Sequence, residues 1–149
     1  MASLKEQVER MCRAFMREDF ETLLDTTYPG LVELMGGRET MRAALRATAD
    51  ELRAGPAKIV SYEAGEPGEV KSAGAQLYSL VPTDMKTEHA DAFYTVRGFV
   101  MGISEDGGKV WTLIDVTMPD EEALKLIVPE IAEVLTLPEP GPPVVEKKP

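Results

Sequence analysis

The chain contains two long runs of strand-forming residues, AQLYSLVPTDMKTE at residues 75–88 and AFYTVRGFVMGIS at residues 92–104. Val, Ile, Tyr, Phe and Thr are enriched in β-strands, and both runs use them repeatedly. Because only a few residues around His89 separate the runs, we predict that they form a long antiparallel hairpin. KIVSYEA at residues 58–64 and KVWTLIDVT at residues 109–117 have the same character, so four consecutive strands are expected.

Helical patterns precede these strands. Ser3 followed by Glu6 matches a capping box, and apolar residues then recur at helical spacing through residues 4–17. Asp19 is the predicted cap of a second, short helix, and residues 39–54 carry the apolar face of a longer one. Helices followed by consecutive strands predict an α+β fold rather than alternating βαβ units.

The stretch TTYPGLVELMGG, residues 26–37, joins the second helix to the longer one. Its apolar run at residues 31–35 is predicted to be a short strand, because the Tyr-Pro pair before it straightens the chain. The adjacent Gly36 and Gly37 suggest a phosphate loop, but that motif needs more glycines and a Lys-Ser/Thr pair. We therefore interpret both glycines as a sharp backbone turn into the next helix.

The end of the chain contains one more helical pattern and a proline-rich segment. Residues 117–135 carry an apolar stripe at helical spacing, which Pro129 is expected to kink or split. After Thr136, the segment LPEPGPPVVEKKP has too many prolines for a helix or a central strand. We therefore predict one domain at residues 1–135 and an extended or disordered tail at residues 136–149.

Composition narrows the classes of partner and cofactor. The formal net charge of −10 repels nucleic acids and anionic membranes, so neither is an expected partner. Cys12 is the one cysteine and His89 the one histidine, so we predict neither an internal disulfide nor a metal or other cofactor. The sequence has no membrane-spanning apolar run and no signal peptide at its start, MASLKEQVER. A cytoplasmic protein is expected, or a secreted or periplasmic one if a leader has been removed.

Element order and two motifs resemble a known superfamily. Initial helices, LVELMGGRETM leading into the longer helix and ISEDGGKVWTLIDV as the last hairpin are similar to nuclear transport factor two-like proteins, nearest to small bacterial members of unassigned function. The likeness covers residues 4–135. It implies a curved antiparallel sheet forming a cone-shaped half-barrel over the N-terminal helices, with an apolar cavity and a C-terminal helix. It also implies a homodimer, because members often dimerise.

The resemblance also bears on one enzymatic activity. Ketosteroid isomerases of this superfamily use a carboxylate base, and a tyrosine and a protonated carboxylic acid as oxyanion donors. The matching positions here are Leu34 for the base, Met11 for the tyrosine and Phe99 for the acid, and all three are apolar. Isomerase chemistry of that design is therefore not expected.

Asp115 is the most informative carboxylate, because WTLIDV surrounds it with large apolar residues. A buried carboxyl group is a site candidate, whereas an ion pair with Arg97 or a capping role would be structural. A two-residue turn at Asp106-Gly107 would place Arg97 and Asp115 on opposite faces of the sheet, and a bulge would bring them together. Tyr28 either orients a ligand at the cavity mouth or anchors the chain through its hydroxyl.

The other candidate ligand-binding residues are Arg97 and the strand aromatics Trp111, Tyr78 and Tyr94. The aromatics face the cavity, a second subunit or the core. Methionines are numerous and suit either an adaptable pocket or an irregular core. They include Met11, Met16, Met35, Met41, Met85, Met101 and Met118.

Three functions are compatible with this sequence. The first is a non-enzymatic domain that binds a small hydrophobic or amphipathic molecule, with Tyr28, Trp111 and Asp115 nearest the cavity mouth. The second is an interaction module that dimerises through the outer face of the sheet and docks its proline-rich tail on a neighbour. The third is an enzyme of the isomerase, cyclase or dehydratase type with Asp115 as general base.

Overall fold

The computed structural model describes residues 3–117, 121–129 and 142–148. Its helices are α1 Leu4–Arg17, α2 Phe20–Thr26, α3 Pro29–Leu34, α4 Arg38–Ala54 and α5 Glu121–Ile127. Its strands are β1 Lys58–Ala64, β2 Lys71–Ala73, β3 Gln76–His89, β4 Ala92–Ser104, β5 Thr112–Asp115 and β6 Val144–Lys147. The predicted α+β class and the four main strands are confirmed.

One antiparallel sheet contains all six of these strands. The main path runs β1-β3-β4-β5, while β2 pairs with β3 and β6 pairs with β4. The predicted hairpin is β3–β4, which pairs without interruption from Leu77 opposite Ser104 to His89 opposite Ala92. A bulge between Ile59 and Ser61 shifts the register of β1, which is the kind of irregularity that bends a strand. The sheet curls into a half-barrel beside the N-terminal helices, as predicted.

Side chains alternate between the two faces of this sheet, and each face has its own core. On the inner face, α1 packs on the strands, and the core consists of Leu4, Val8, Cys12, Val81, Val100, Trp111 and Leu113. On the outer face, α5 packs on the strands, and the core consists of Tyr28, Tyr78, Met101, Ile103, Ile114, Val116, Leu124 and Val128. The sheet is therefore covered by helix on both sides in its central part.

The N-terminal helices follow their sequence signals. The Ser3 hydroxyl accepts a hydrogen bond from the Glu6 backbone N–H at 3.2 Å, and the Asp19 carboxylate accepts one from the Thr22 backbone N–H at 3.2 Å. These contacts satisfy N–H groups that the helix itself leaves unpaired. The predicted starts of α1 and α2 are confirmed.

The predicted strand at residues 31–35 is wrong, because this segment lies largely within α3. The Tyr28 carbonyl accepts hydrogen bonds from the N–H groups of Leu31 and Val32, which begins the helix directly after Tyr28. Gly37 N–H donates to the Val32 carbonyl at 2.9 Å and Gly36 N–H to the Glu33 carbonyl at 3.1 Å. This pair of bonds is a Schellman motif, so the two glycines terminate a helix.

Within the predicted C-terminal helix, residues 117–135, the structure shows helix at Glu121–Ile127. Helix α5 ends at Ile127, before Pro129, as the restriction on residues preceding proline requires. The predicted helical residues 118–120 and 130–135 lie outside the described residues. Within the predicted tail, residues 144–147 form the exposed edge strand β6. None of the described helices has the length and apolarity needed to cross a membrane.

Candidate functional site

A cavity of about 270 Å³ lies between the inner face of the sheet and the N-terminal helices. Helices α1, α2, α3 and α4 form one side, and β1, β3 and β5 form the other. The lining is mainly apolar and consists of Met11, Phe15, Leu23, Thr26, Thr27, Leu31, Met41, Leu45, Tyr62, Met85, Leu113 and Asp115. Three of the seven methionines singled out in the sequence therefore line this space.

A second cavity of about 180 Å³ adjoins the first. The two share Phe15, Leu23 and Leu45 as lining residues. The second cavity continues between α4 and the start of β1, where Leu52 and Ile59 line it. The apolar space therefore extends along the underside of α4.

Helix α4 covers both cavities and contacts α2 and α3, but it does not bury its own residues. All of its residues are described, and none of them is buried. Its apolar stripe, which includes Met41, Leu45 and Leu52, lines the cavities, and Leu52 is still 38% exposed. A helix whose apolar face lies against a solid core buries that stripe. Here the stripe lies over empty space.

Ion pairs connect α4 to α2. The Arg38 guanidinium lies 3.1 Å from the carboxylates of both Glu21 and Asp25, and the Arg42 Nε lies 2.6 Å from Glu21. The hydrogen bond from Arg42, followed by that from Arg38, lowers the pKa of the Glu21 carboxyl group. We call this group of charged side chains the α2–α4 latch; its members are Glu21, Asp25, Arg38 and Arg42.

Asp115 lies at the rim of the first cavity. It is opposite Val100 across β4–β5, so its side chain shares the inner face of the sheet with the buried Val100. The expected burial of Asp115 is not found, because α1 covers Val100 but leaves the end of β5 open. Its Oδ1 accepts a hydrogen bond from the Thr117 N–H at 2.9 Å. The carboxylate is therefore exposed and accessible from the cavity.

Two neutral groups lie near this carboxylate. Burial, and then the charge of Asp115, raises the pKa of the Tyr62 phenol well above its usual value, and its hydroxyl is hydrogen-bonded to the Thr83 side chain. Burial, and then the same charge, raises the pKa of the Cys12 thiol to about 12. Both groups are consequently protonated at neutral pH. Tyr62 was not predicted from the sequence. Alternation assigns the side chains of β1 to two faces of the sheet, but it does not indicate which of these faces lines a cavity.

Most of the predicted ligand-binding aromatics belong to the cores. Tyr28 and Tyr78 lie in the outer core, where the Tyr78 hydroxyl donates to the Gln76 side chain. Trp111 packs in the inner core beside α1, and its carbonyl accepts a hydrogen bond from Gln7 Nε2 at 3.0 Å. Tyr94 is half-buried, on the part of β4 that pairs with β6. Asp115 is the member of the predicted set that lines the first cavity.

Arg97 and Asp115 are not partners. Arg97 forms a two-point ion pair with Asp84, its direct neighbour on β3, at 2.9 and 3.0 Å. Val100, three residues after Arg97, is opposite Asp115, so Arg97 points to the other face of the sheet. Of the two alternatives for this hairpin, the simple two-residue turn is not found, and the strands are joined by a longer loop in which the Asp106 carboxylate accepts hydrogen bonds from the N–H groups of Lys109 and Val110.

The positions matched to the isomerase catalytic residues are not brought together. Met11 lines the first cavity, Leu34 is 43% exposed on α3, and Phe99 packs against the outer core. Within residues 3–117, 121–129 and 142–148, no group of three or more acidic, Cys or His side chains is arranged to hold a metal ion. Comparison with protein-family models, curated proteins and solved structures finds no match to the chain.

Proposed function

We propose that this protein is a non-enzymatic binding domain whose cavity beneath α4 takes a small hydrophobic or amphipathic molecule. The observation that carries this proposal is the apolar stripe of α4, which lies over about 270 Å³ of space instead of packing on the sheet. An engineered cavity of about 150 Å³ holds benzene, and small-molecule pockets begin at about 300 Å³. The space therefore suits a ligand somewhat larger than one aromatic ring.

The polar groups support binding rather than catalysis. General acid–base chemistry needs groups that gain and lose protons near the working pH. Burial raises the pKa values of Tyr62 and Cys12, which keeps both protonated. The described residues that line the first cavity therefore offer Asp115 no partner for proton transfer near neutral pH. An enzyme that uses Asp115 as general base is less well supported than a binding domain.

Membership of the nuclear transport factor two-like superfamily is part of the same proposal. Its support is the order of elements, with helices first, then a curled antiparallel sheet, and a short C-terminal helix. A cavity between the helices and the inner face of the sheet is what that resemblance implies. Fold alone does not determine function, so the cavity carries the functional argument.

Calorimetric titration with a phenylbutyl probe tests the binding function. We expect 4-phenylbutanol to bind the wild-type protein and to raise its melting temperature, since a ligand at 100 times its Kd stabilises a protein by about 2.7 kcal/mol. Leu45→Trp places an indole in the space that both cavities share, and it should abolish binding. Leu126→Trp is the matched control, because Leu126 is 74% exposed on α5.

Two outcomes would contradict the proposed function. One is that no phenylbutyl compound binds the protein, whichever polar head group the compound carries. The other is undiminished binding in a folded Leu45→Trp protein, because the ligand would then occupy a different place.

A homodimeric interaction module is the second candidate. Strand β6 is an edge strand, and its Val144 and Val145 side chains are 62% and 55% exposed. An exposed apolar edge strand favours pairing with another chain. The predicted dimer surface on the outer face of the sheet is less suitable, because α5 packs on its central part. Light scattering at two protein concentrations tests for the dimer.

A further inference from the structure

We propose that the cavity selects cationic amphiphiles, with an amine or ammonium head group at Asp115 and an apolar body beneath α4. This inference rests on the proposed binding function and adds the chemical class of the ligand. It depends on the charges and the hydrogen-bonding groups that the cavity offers.

The charge in the first cavity is negative and unbalanced. Of the described residues that line it, Asp115 is the one with a charged side chain. Thr117 is the sole described hydrogen-bonding partner of that carboxylate and uses Oδ1, which leaves Oδ2 for a ligand. An accessible carboxylate gains a charge-assisted hydrogen bond from an ammonium group and repels another carboxylate.

The uncharged polar groups of the lining also favour a donor. The hydroxyl groups of Thr26 and Thr27 both donate to the Leu23 carbonyl, at 3.0 and 2.6 Å, so their oxygens remain as acceptors. These two threonine hydroxyls therefore offer acceptors to a ligand that supplies hydrogen-bond donors. An ammonium group supplies three of them and a compensating positive charge.

The second cavity contrasts with the first. Charges of both signs line it, with an ion pair at 3.2 Å between Arg53 and Glu18 and the ammonium group of Lys58 close by. A cationic head group gains little there. This contrast orients the ligand, with its head at Asp115 and its apolar end toward Leu45 and Leu52. The net charge of −10 also raises the concentration of cations around the whole protein.

Three probes that share the same apolar phenylbutyl group and differ in head group test charge selection separately from binding. They are 4-phenylbutylamine, 4-phenylbutanol and 4-phenylbutyrate, each titrated calorimetrically at pH 7 into the same protein. We expect the amine to bind roughly threefold tighter than the alcohol, the effect of one ion pair at a solvent-exposed carboxylate, and the carboxylate to bind weakest. Asp115→Asn should bring the amine and the alcohol to equal affinity.

Two further variants control for fold and for overall charge. Asp115→Glu keeps the carboxylate and should keep the preference for the amine. Asp91→Asn removes the same charge from an exposed turn outside the cavity lining, and it should leave the preference unchanged. Circular dichroism checks that each variant is folded.

The outcomes separate this inference from the proposed function. Equal affinities for the amine and the alcohol in the wild-type protein would overturn charge selection and leave the binding function standing. An amine preference that survives in Asp115→Asn would overturn the role of Asp115. Absence of binding by all three probes would contradict the binding function itself.

Discussion

At the scale of single residues, backbone conformation explains why two adjacent glycines follow the apolar run at residues 31–35. Gly36 and Gly37 have φ values of 96° and 100°, which L-residues with side chains rarely adopt. Their N–H groups close the end of α3, so they are not available to hold a phosphate. The sequence correctly indicated a need for backbone freedom here, but a short apolar run does not distinguish a helix from a strand.

Gly37→Ala should destabilise the protein by about 1–3 kcal/mol for conformational reasons alone. Gly37 has φ 100° and ψ 175°, a region occupied almost only by glycine, and apart from its chain neighbours no atom lies within 4 Å of the added methyl group. Gly55→Ala, at the other end of α4, should cost less, because its φ of −75° suits any residue and the added methyl group, 3.3 Å from the Glu51 carbonyl oxygen, requires a shift of only a few tenths of an ångström. Urea unfolding measures both, and equal losses would contradict the conformational explanation.

Asp115 illustrates what a sequence conveys about a site. Alternation along β5 predicts that Asp115 and Leu113 share a face, and this holds because both line the first cavity. The sequence does not reveal whether that face is filled by side chains or left open, because the filling depends on helices far away in the chain. This is why Asp115 was identified as a candidate while its predicted burial was wrong.

Among the elements, α4 is the one whose packing the sequence could not predict. Its apolar stripe is clear in the sequence and its bounds differ from the prediction by one residue. An amphipathic helix is normally expected to bury that stripe. The curvature of the sheet leaves space below α4 instead, and curvature depends on bulges and long-range pairing that a single sequence does not specify.

Glu21→Gln should loosen α4, because it removes the carboxylate that both Arg38 and Arg42 contact in the α2–α4 latch. We expect faster amide hydrogen exchange in α4 at pH 7, with little change elsewhere. The pKa of Glu21 is lowered in the folded protein, so its contribution is present above the ordinary value of 4.5 and is lost as the pH falls.

Glu33→Gln is the matched control for the latch, because Glu33 is exposed on α3 and its side chain has no described partner. It should leave exchange in α4 unchanged. Identical exchange in α4 for the wild-type protein and the Glu21→Gln variant would show that the latch does not hold this helix.

Leu124→Ala in α5 should destabilise the protein by about 2–5 kcal/mol, the usual cost of a buried Leu-to-Ala change. Leu124 is 4% exposed in the outer core, whereas Leu126, two residues later on the same helix, is 74% exposed. Leu126→Ala should therefore have almost no effect. Chemical unfolding of both variants measures the difference, and similar losses would mean that α5 does not pack on the sheet as described.

For the whole molecule, the change from helical to strand periodicity after Gly55 allowed the fold class to be predicted. Helices first and four consecutive strands later leave few arrangements other than a curved antiparallel sheet with helices against it. The sequence did not reveal β2 and β6, since β2 has three residues and β6 follows two prolines. It also could not divide the aromatic residues between the cavity and the two cores.

The central claim is that a hollow, apolar space exists between α4 and the inner face of the sheet. Xenon binds dry apolar cavities, so a crystal pressurised with xenon tests this claim directly. We predict anomalous density for xenon among Phe15, Leu45 and Leu113. A crystal structure in which α4 packs its apolar stripe against the sheet, with no xenon beneath it, would contradict the account.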